Sequence, residues 1–83
     1  MYRLIISPQA QKQFKNIKLT HQQAVKLSIE DIKEDPNIGK HLTRDLADRF
    51  SYKVGIYRII YKVNERDKII YILSAGHRAT VYK

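Results

Sequence analysis

The spacing of apolar residues changes from a helical period to a strand period along this chain, and that change constrains the fold most. In the N-terminal part, apolar residues recur every three or four positions: Ala10, Phe14 and Ile17, then Val25, Ile29 and Ile32. From residue 50 onward the period is two, and β-branched and aromatic residues dominate. A helical part followed by a strand-forming part predicts an α+β domain.

Local signals set the boundaries of the predicted N-terminal elements. Residues 2–6 form a short β-branched run that predicts a first strand. Ser7 is a favourable N-cap for the helix that follows, and Pro8 suits its first position, where no backbone N–H is needed. Together they predict a strand that leads directly into a helix.

A second helix is predicted from a capping box formed by Thr20 and Gln23. Its buried face carries the second apolar stripe, flanked by Ala24 and Leu27, and Pro36 ends the helix. The two helices are predicted to form a hairpin whose apolar stripes require a sheet or another helix to cover them.

The C-terminal part contains three runs of strand-forming residues: residues 50–54, 56–63 and 68–74. Short turns at Gly55 and residues 64–67 predict an antiparallel meander, and Gly76 is expected to end its last strand. Residues 38–48 are assigned only as a loop. The predicted fold is a small antiparallel sheet of about four strands, in the order β-α-α-β-β-β, with the helical hairpin packed on one face.

Alternation along the middle strand predicts which face of the sheet is charged. Odd-numbered residues from Tyr57 to Val63 share one face, and even-numbered residues share the other. The odd-numbered set is bulky and apolar around Tyr61, so it is expected to cover the helices. Arg58 and Lys62 then lie on an open, basic face.

The charge is large for a chain of this length. The 83 residues carry 16 Lys and Arg against 8 Asp and Glu, a net charge of +8. Residues 49–83 hold eight basic and two acidic side chains, which places +6 in the predicted sheet part. Such a field attracts polyanions, phosphate above all, although a basic surface kept for solubility explains the charge equally well.

Length and composition exclude several classes of protein. The chain fits one small domain, residues 1–83. Without cysteine it has no disulfides, thiolate metal site or cysteine nucleophile, which favours a reducing, cytoplasmic compartment. The longest apolar stretch, residues 69–73, is far shorter than the ~18–20 residues needed to cross a bilayer, so no membrane partner is expected.

The remaining chemistry lies in a basic and aromatic set. The three histidines are in separate segments without metal-ligand spacing, so no metal or other cofactor is expected. Cleavage of RNA by its own 2′-hydroxyl needs a proton acceptor, cations for the charged phosphorane and an acid for the leaving oxygen. The candidates for these roles are Lys53, Tyr57, Arg58, Lys62, His77, Arg78 and Tyr82. The alternative interpretation is structural, because strand tyrosines usually complete a core and strand arginines usually cover it.

Two segments of the chain resemble the RelE/ParE toxin superfamily. One is a Gly-x-Tyr-Arg-hydrophobic-hydrophobic-Tyr strand that begins at Gly55, and the other is a Gly-His-Arg-x-x-Val-Tyr segment that begins at Gly76. The similarity extends over essentially the whole chain. It implies a toxin of a bacterial or archaeal toxin–antitoxin pair, with a small antiparallel sheet and two helices on one face.

RelE members of this superfamily cleave mRNA in the ribosomal A site. For this chain the resemblance implies that Arg58 and Arg78 hold the transition-state phosphate and that Tyr82 donates a proton or stacks on a base. Lys53 is implied to activate the 2′-hydroxyl, and His77 to support proton transfer or to add charge.

The resemblance also implies partners and alternatives. The expected partners are the ribosome, mRNA and a cognate antitoxin that wraps the basic sheet and the hairpin in a hetero-oligomer, with Arg49, Tyr57 and Lys62 binding substrate. One alternative is a ParE-type module that inhibits DNA gyrase through protein contacts. Another is an inactive member that binds only antitoxin or nucleic acid. The same fold supports all three.

Overall fold

Two helices cover one face of a mixed β-sheet in a computed structural model that describes residues 2–42 and 48–77. In chain order the elements are β1 (Arg3–Ile6), α1 (Pro8–Lys15), α2 (Leu19–Glu34), one 3₁₀ turn (Pro36–Ile38), β2 (Lys40–His41), β3 (Phe50–Val54), β4 (Tyr57–Asn64) and β5 (Ile69–His77). The predicted α+β class, with a helical hairpin on one face of a sheet, is confirmed.

The sheet differs from the prediction in the number of strands and in the direction of one strand. Its order is β1-β5-β4-β3-β2, so the described residues form five strands. The added strand, β2, is a two-residue strand within the segment assigned to a loop. β1 lies parallel to β5, whereas every other pair is antiparallel. Two consecutive helices return the chain to the end of the sheet where β1 stopped, and four alternating strands then give β5 the direction of β1.

The start of α1 follows the predicted cap. Ser7 Oγ accepts a hydrogen bond from the Ala10 amide at 3.0 Å, and Pro8 is the first helical residue. The same hydroxyl donates to the Leu73 carbonyl at 2.9 Å. Ser7 therefore caps the helix and also fixes it to the neighbouring strand β5.

The start of α2 does not use the predicted capping box. The helix begins at Leu19, so Thr20 already lies in its first turn, and the N-cap residue Lys18 makes no side-chain cap. Instead, Gln22 Nε2 donates to the Ile17 carbonyl at 3.0 Å and to the Phe14 carbonyl at 3.3 Å. These bonds satisfy carbonyls at the end of α1 and join it to the first turn of α2.

The core lies between the helices and the sheet. Its largest fully buried side chains are Tyr61, Ile32, Ile59, Ile70, Ile72 and Val25. The predicted stripe of α2 is buried, but Ala24 and Leu27 are exposed, because residues one or two positions from a stripe lie on another face of the helix. Among the described residues, no helix is long and apolar enough to cross a membrane.

A β-bulge alters the pairing of β4 with β5. Ile60 pairs with Ser74, but Tyr61 pairs with Ile72, so Leu73 is an extra residue on β5. The prediction that Gly76 ends the last strand is wrong, since β5 continues to His77. A glycine backbone still pairs normally in a ladder when its φ and ψ are extended.

Candidate functional site

The face of the sheet that points away from the helices is basic. We call it the open face. Strand alternation and register place on it Arg3 of β1, Lys40 of β2, Lys53 of β3, and Arg58 and Lys62 of β4. The described strand residues that share this face include no Asp or Glu. Five like charges without an acidic partner in the strands produce a positive field over one side of a thin sheet.

Arg58 lies near one end of this face. Its register partners are Lys53 on β3 and Gly76 on β5. The side chain is half-buried, and Nη1 donates a long hydrogen bond of 3.4 Å to Ser51 Oγ. A guanidinium carries several N–H donors in a planar fork, so the remaining donors can contact a phosphate above the sheet.

The middle of the open face is formed by buried residues, two of which are serines. Ser51, Ile60 and Ser74 form one cross-strand row on it, and each is at most 5% exposed. This row separates Arg58 and Lys53 from the cation at the other end, Lys62. Sequence reasoning missed the two serines, for which the available signal was a small polar residue at an outward position of a strand.

The structure brings some of the predicted site residues together and separates others. Lys53, Arg58 and Lys62 share the open face. Arg49 precedes β3, where its Nε is buried and lies 3.6 Å from the Asp48 carboxylate. The predicted residues Arg78 and Tyr82 lie outside the described residues.

Tyr57 and His77 lie on the helix side of the sheet. Tyr57 packs against the core, because it is adjacent to Arg58 in a strand and must point to the opposite face. Its ring centroid is 5.4 Å from that of His21 and 6.4 Å from that of His77, its register partner. These two predicted site residues are therefore on the other side of the sheet from Arg58.

A second feature that sequence reasoning missed is an aromatic ring on the open face. Tyr71 of β5 is half-exposed, and Lys62 Nζ lies 5.8 Å from its ring centroid. Its apolar neighbours in residues 69–73 gave no sign of this position, and only the register of β5 against β4 puts it beside Lys62. No group of three or more His, Asp or Glu among the described residues is placed to hold a metal ion.

An apolar groove lies on the helix side, where α1, α2 and β1 meet. Its volume is about 450 Å³, and its walls include Leu4, Phe14, Leu27 and Ile29. Lys26 lies at its edge, with Nζ 5.8 Å from the Phe14 ring centroid. The chain thus presents a basic surface on one side and an apolar groove on the other.

The family of the ParE toxin of type II toxin–antitoxin systems, parDE, matches residues 4–82. The chain belongs to this family. Toxin RelG of Mycobacterium tuberculosis is 35% identical over 60 residues, which are 71% of this chain and 69% of that protein. The predicted membership of the RelE/ParE superfamily is confirmed, and the chain is a toxin of that class.

Solved structures agree with this assignment. The toxin–antitoxin complex RelBE2 of Mycobacterium tuberculosis contains a chain with a TM-score of 0.83 and 28% identity, over 93% of this chain and 98% of that one. The isolated Escherichia coli RelE toxin has a TM-score of 0.80 and 24% identity, over 99% and 92%. At that identity the second match shows the fold alone.

Proposed function

We propose that this ParE-family toxin is a ribosome-dependent, metal-independent endoribonuclease that cleaves mRNA in the cytoplasm. The observation that supports this most is the open face, which carries five cations and no acidic side chain among its described strand residues. A phosphate backbone supplies the opposite charge at regular spacing, and binding releases its counterions. The ribosome provides such a backbone around the mRNA.

The proposed chemistry is attack by an RNA 2′-hydroxyl on the adjacent phosphate. Lys53, acting as a neutral amine, takes the hydroxyl proton, and the oxygen bonds to phosphorus. The bond from phosphorus to the 5′-oxygen breaks, and Tyr82 donates a proton to that oxygen. The products are a 2′,3′-cyclic phosphate and a 5′-hydroxyl.

Two arginines are assigned to the charged transition state in this proposal. Arg58 and Arg78 hold the phosphate oxygens as negative charge develops on them. The position of Lys53 supports its pairing with Arg58, because directly opposite residues on antiparallel strands have Cβ atoms about 4.5–5.5 Å apart. Their side chains can therefore reach one phosphate and its neighbouring hydroxyl.

The other predicted site residues take supporting parts. Lys62 and Arg49 bind phosphates away from the reacting one. Tyr57 packs against the core, which favours a structural role, and the exposed His77 lies on the same side of the sheet, away from Arg58, which favours a role outside proton transfer.

A cognate antitoxin is the proposed protein partner. The similar RelBE2 structure is itself a toxin–antitoxin complex. In this proposal, an amphipathic segment of the antitoxin occupies the apolar groove, and acidic residues cover the open face. The resulting hetero-oligomer neutralises the toxin by blocking the cations that bind RNA.

The second candidate function is inhibition of DNA gyrase through protein contacts. One observation favours it: the matching family is named for ParE, and the match spans residues 4–82. The fold alone does not separate the two activities.

The deciding experiment is in-vitro translation with the purified toxin, with primer extension on the mRNA and a gyrase supercoiling assay run in parallel. We expect cuts at defined codon positions that require ribosomes, together with normal supercoiling. Intact mRNA with inhibited supercoiling would overturn the ribonuclease and select the gyrase inhibitor. Inactivity in both assays, with retained antitoxin binding, would identify an inactive member.

A further inference from the structure

A shallow concavity lies on the open face at the end opposite Arg58. Its residues come from β4, β5, the turn between them and the segment before β3: Asp48, Lys62, Val63, Asn64, Glu65, Tyr71 and Leu73. The proposed chemistry around Arg58 and Lys53 does not use it. Arg58 and Lys62 are four residues apart on one strand, which separates their Cα atoms by about 13 Å.

The floor of the concavity is an aromatic ring beside a cation. Tyr71 and Lys62 are register partners on adjacent strands, and Lys62 Nζ lies 5.8 Å from the ring centroid. That distance is close to the limit of about 6 Å for a cation–π contact, so the ammonium is held weakly and can turn towards an anion. The β-bulge places Leu73 on the same face, which adds an apolar wall next to the ring.

Two carboxylates at the edge of the concavity determine which part of a ligand can enter it. Asp48 is 3.6 Å from Arg49 Nε, and Glu65 accepts a 2.6 Å hydrogen bond from the Tyr2 hydroxyl and lies 3.6 Å from Lys68 Nζ. Both repel a phosphate that approaches the edge. A phosphate is therefore directed to Lys62, and the concavity itself favours an uncharged, flat group.

We propose that Tyr71 is a stacking platform for one nucleobase of bound single-stranded RNA, with Lys62 contacting the phosphate next to that base. The choice of RNA as ligand rests on the proposed function. Every base has a π-face, so such a platform binds without a strong sequence preference. An acidic peptide would satisfy Lys62 but offers no flat ring for Tyr71.

Fluorescence anisotropy with a short 2′-O-methyl RNA tests this assignment, because that strand has no free 2′-hydroxyl and is bound without being cleaved. A second strand has the same backbone but no bases. We expect Tyr71→Ala to weaken binding of the first strand about five-fold or more. Tyr71→Phe keeps the ring and should bind within about two-fold of the original chain. The original chain should bind the strand without bases more weakly than the strand with bases, by a similar factor. Tyr71→Ala should bind the two strands with equal affinity.

The control is a second lysine–tyrosine contact in the same chain. Lys68 Nζ lies 5.1 Å from the Tyr2 ring centroid, but the Tyr2 hydroxyl is bound to Glu65 and the ring packs against the core. Tyr2→Ala should therefore lower the melting temperature and leave RNA affinity unchanged. Circular dichroism of each variant separates loss of fold from loss of binding.

Three results would overturn the platform: equal weakening of both strands by Tyr71→Ala, no weakening of either, or a larger loss of affinity for a polyglutamate peptide than for RNA. The last result would assign Tyr71 to an acidic protein partner. This test distinguishes failure of the platform from failure of the ribonuclease proposal. If Tyr71→Ala weakens binding only of the strand with bases but the toxin does not cleave mRNA, the platform stands and the nuclease is rejected. If the toxin cleaves mRNA but the effect of Tyr71→Ala does not depend on the bases, the nuclease stands and the platform is rejected.

Discussion

The hydroxyl of Tyr61 accepts a 3.0 Å hydrogen bond from the backbone amide of Gly39, and the two residues are too close for any side chain to lie between them. A Cβ atom added at position 39 would be 2.5 Å from the Tyr61 hydroxyl oxygen and 3.0 Å from its Cε1. The same hydroxyl donates a 2.7 Å hydrogen bond to the Pro36 carbonyl. One buried phenol on β4 thus fixes the chain that leaves α2 to the sheet.

Gly39→Ala is expected to destabilise the protein through this contact. The ring of Tyr61 is fully buried and cannot move aside, so overpacking should lower the free energy of unfolding by about 1–3 kcal/mol. Urea unfolding followed by circular dichroism measures the change. Gly55→Asn is the control, because a Cβ there meets nothing within 4 Å and asparagine tolerates the φ of +61°. Equal stability of Gly39→Ala and the original chain would contradict the close contact.

Tyr61→Phe is expected to be destabilising although it keeps the ring. The change leaves the Pro36 carbonyl and the Gly39 amide without their partner in a largely buried place, at a cost of about 1–3 kcal/mol. The free energy of unfolding of the variant, compared with that of Tyr71→Phe, measures this contribution. A smaller loss for Tyr61→Phe than for Tyr71→Phe would show that the hydroxyl is not needed.

Stability should also fall at alkaline pH because of Tyr61. Burial raises the pKa of its phenol, since the phenolate is poorly solvated in the core, and the Gly39 amide opposes this shift only in part. The unfolded chain then loses this proton first, at a pH of about 10, and the folded state is progressively disfavoured as pH rises from there through the folded pKa. The free energy of unfolding, measured on both sides of that pH, should decline less steeply with rising pH for Tyr61→Phe than for the original chain.

Arg58→Ala is expected to abolish mRNA cleavage without unfolding the protein. Removing a cation from the transition state should reduce the rate by about 10²–10³-fold, whereas the loss of one long bond to Ser51 should cost less than about 1 kcal/mol of stability. Primer extension after in-vitro translation measures the rate. Arg66→Ala is the matched control, because it removes the same charge from the exposed turn between β4 and β5. Equal cleavage rates for Arg58→Ala and Arg66→Ala would show that Arg58 takes no part in cleavage.

Salt dependence should identify the cations that contact RNA. For a single strand, each phosphate contact contributes about 0.7 to the slope of log affinity against log salt concentration. Lys62→Ala should therefore reduce the magnitude of the slope for the 2′-O-methyl RNA by about that amount. Lys12→Ala, which removes an exposed charge from α1, should leave the slope unchanged. An effect of Lys12→Ala equal to that of Lys62→Ala would mean that binding follows net charge and not the open face.

Local residue patterns were sufficient for much of the fold. The cap formed by Ser7 and Pro8 depends only on neighbouring residues, and the alternation from Tyr57 to Val63 follows from strand geometry alone. The capping box at Thr20 was wrong because α2 begins at Leu19, one residue before Thr20, so that Thr20 lies inside its first turn. β2 was not predicted, because a strand of two residues is too short to show an alternation of apolar and polar residues.

The candidate site was less predictable than the fold. The sequence indicated that Lys53, Arg58 and Lys62 are basic residues of strands, and alternation assigned Arg58 and Lys62 to one face. The register of β3 against β4 placed Lys53 there as well. It did not indicate that Tyr71 would lie beside Lys62, because that contact depends on the register between β4 and β5 and hence on the bulge at Leu73. Register between strands is set by pairing across the sheet, which a single strand does not encode.

The sequence by itself determined the class of the fold, the helical hairpin, the meander and the charge of the sheet, because periodicity, caps and composition act over short distances along the chain. Only the tertiary structure decided that β1 lies parallel to β5, that Tyr57 and His77 lie across the sheet from Arg58, and that Tyr61 binds Gly39. Each of these relationships joins residues far apart in the chain, and packing of the whole core selects among the arrangements that local preferences allow.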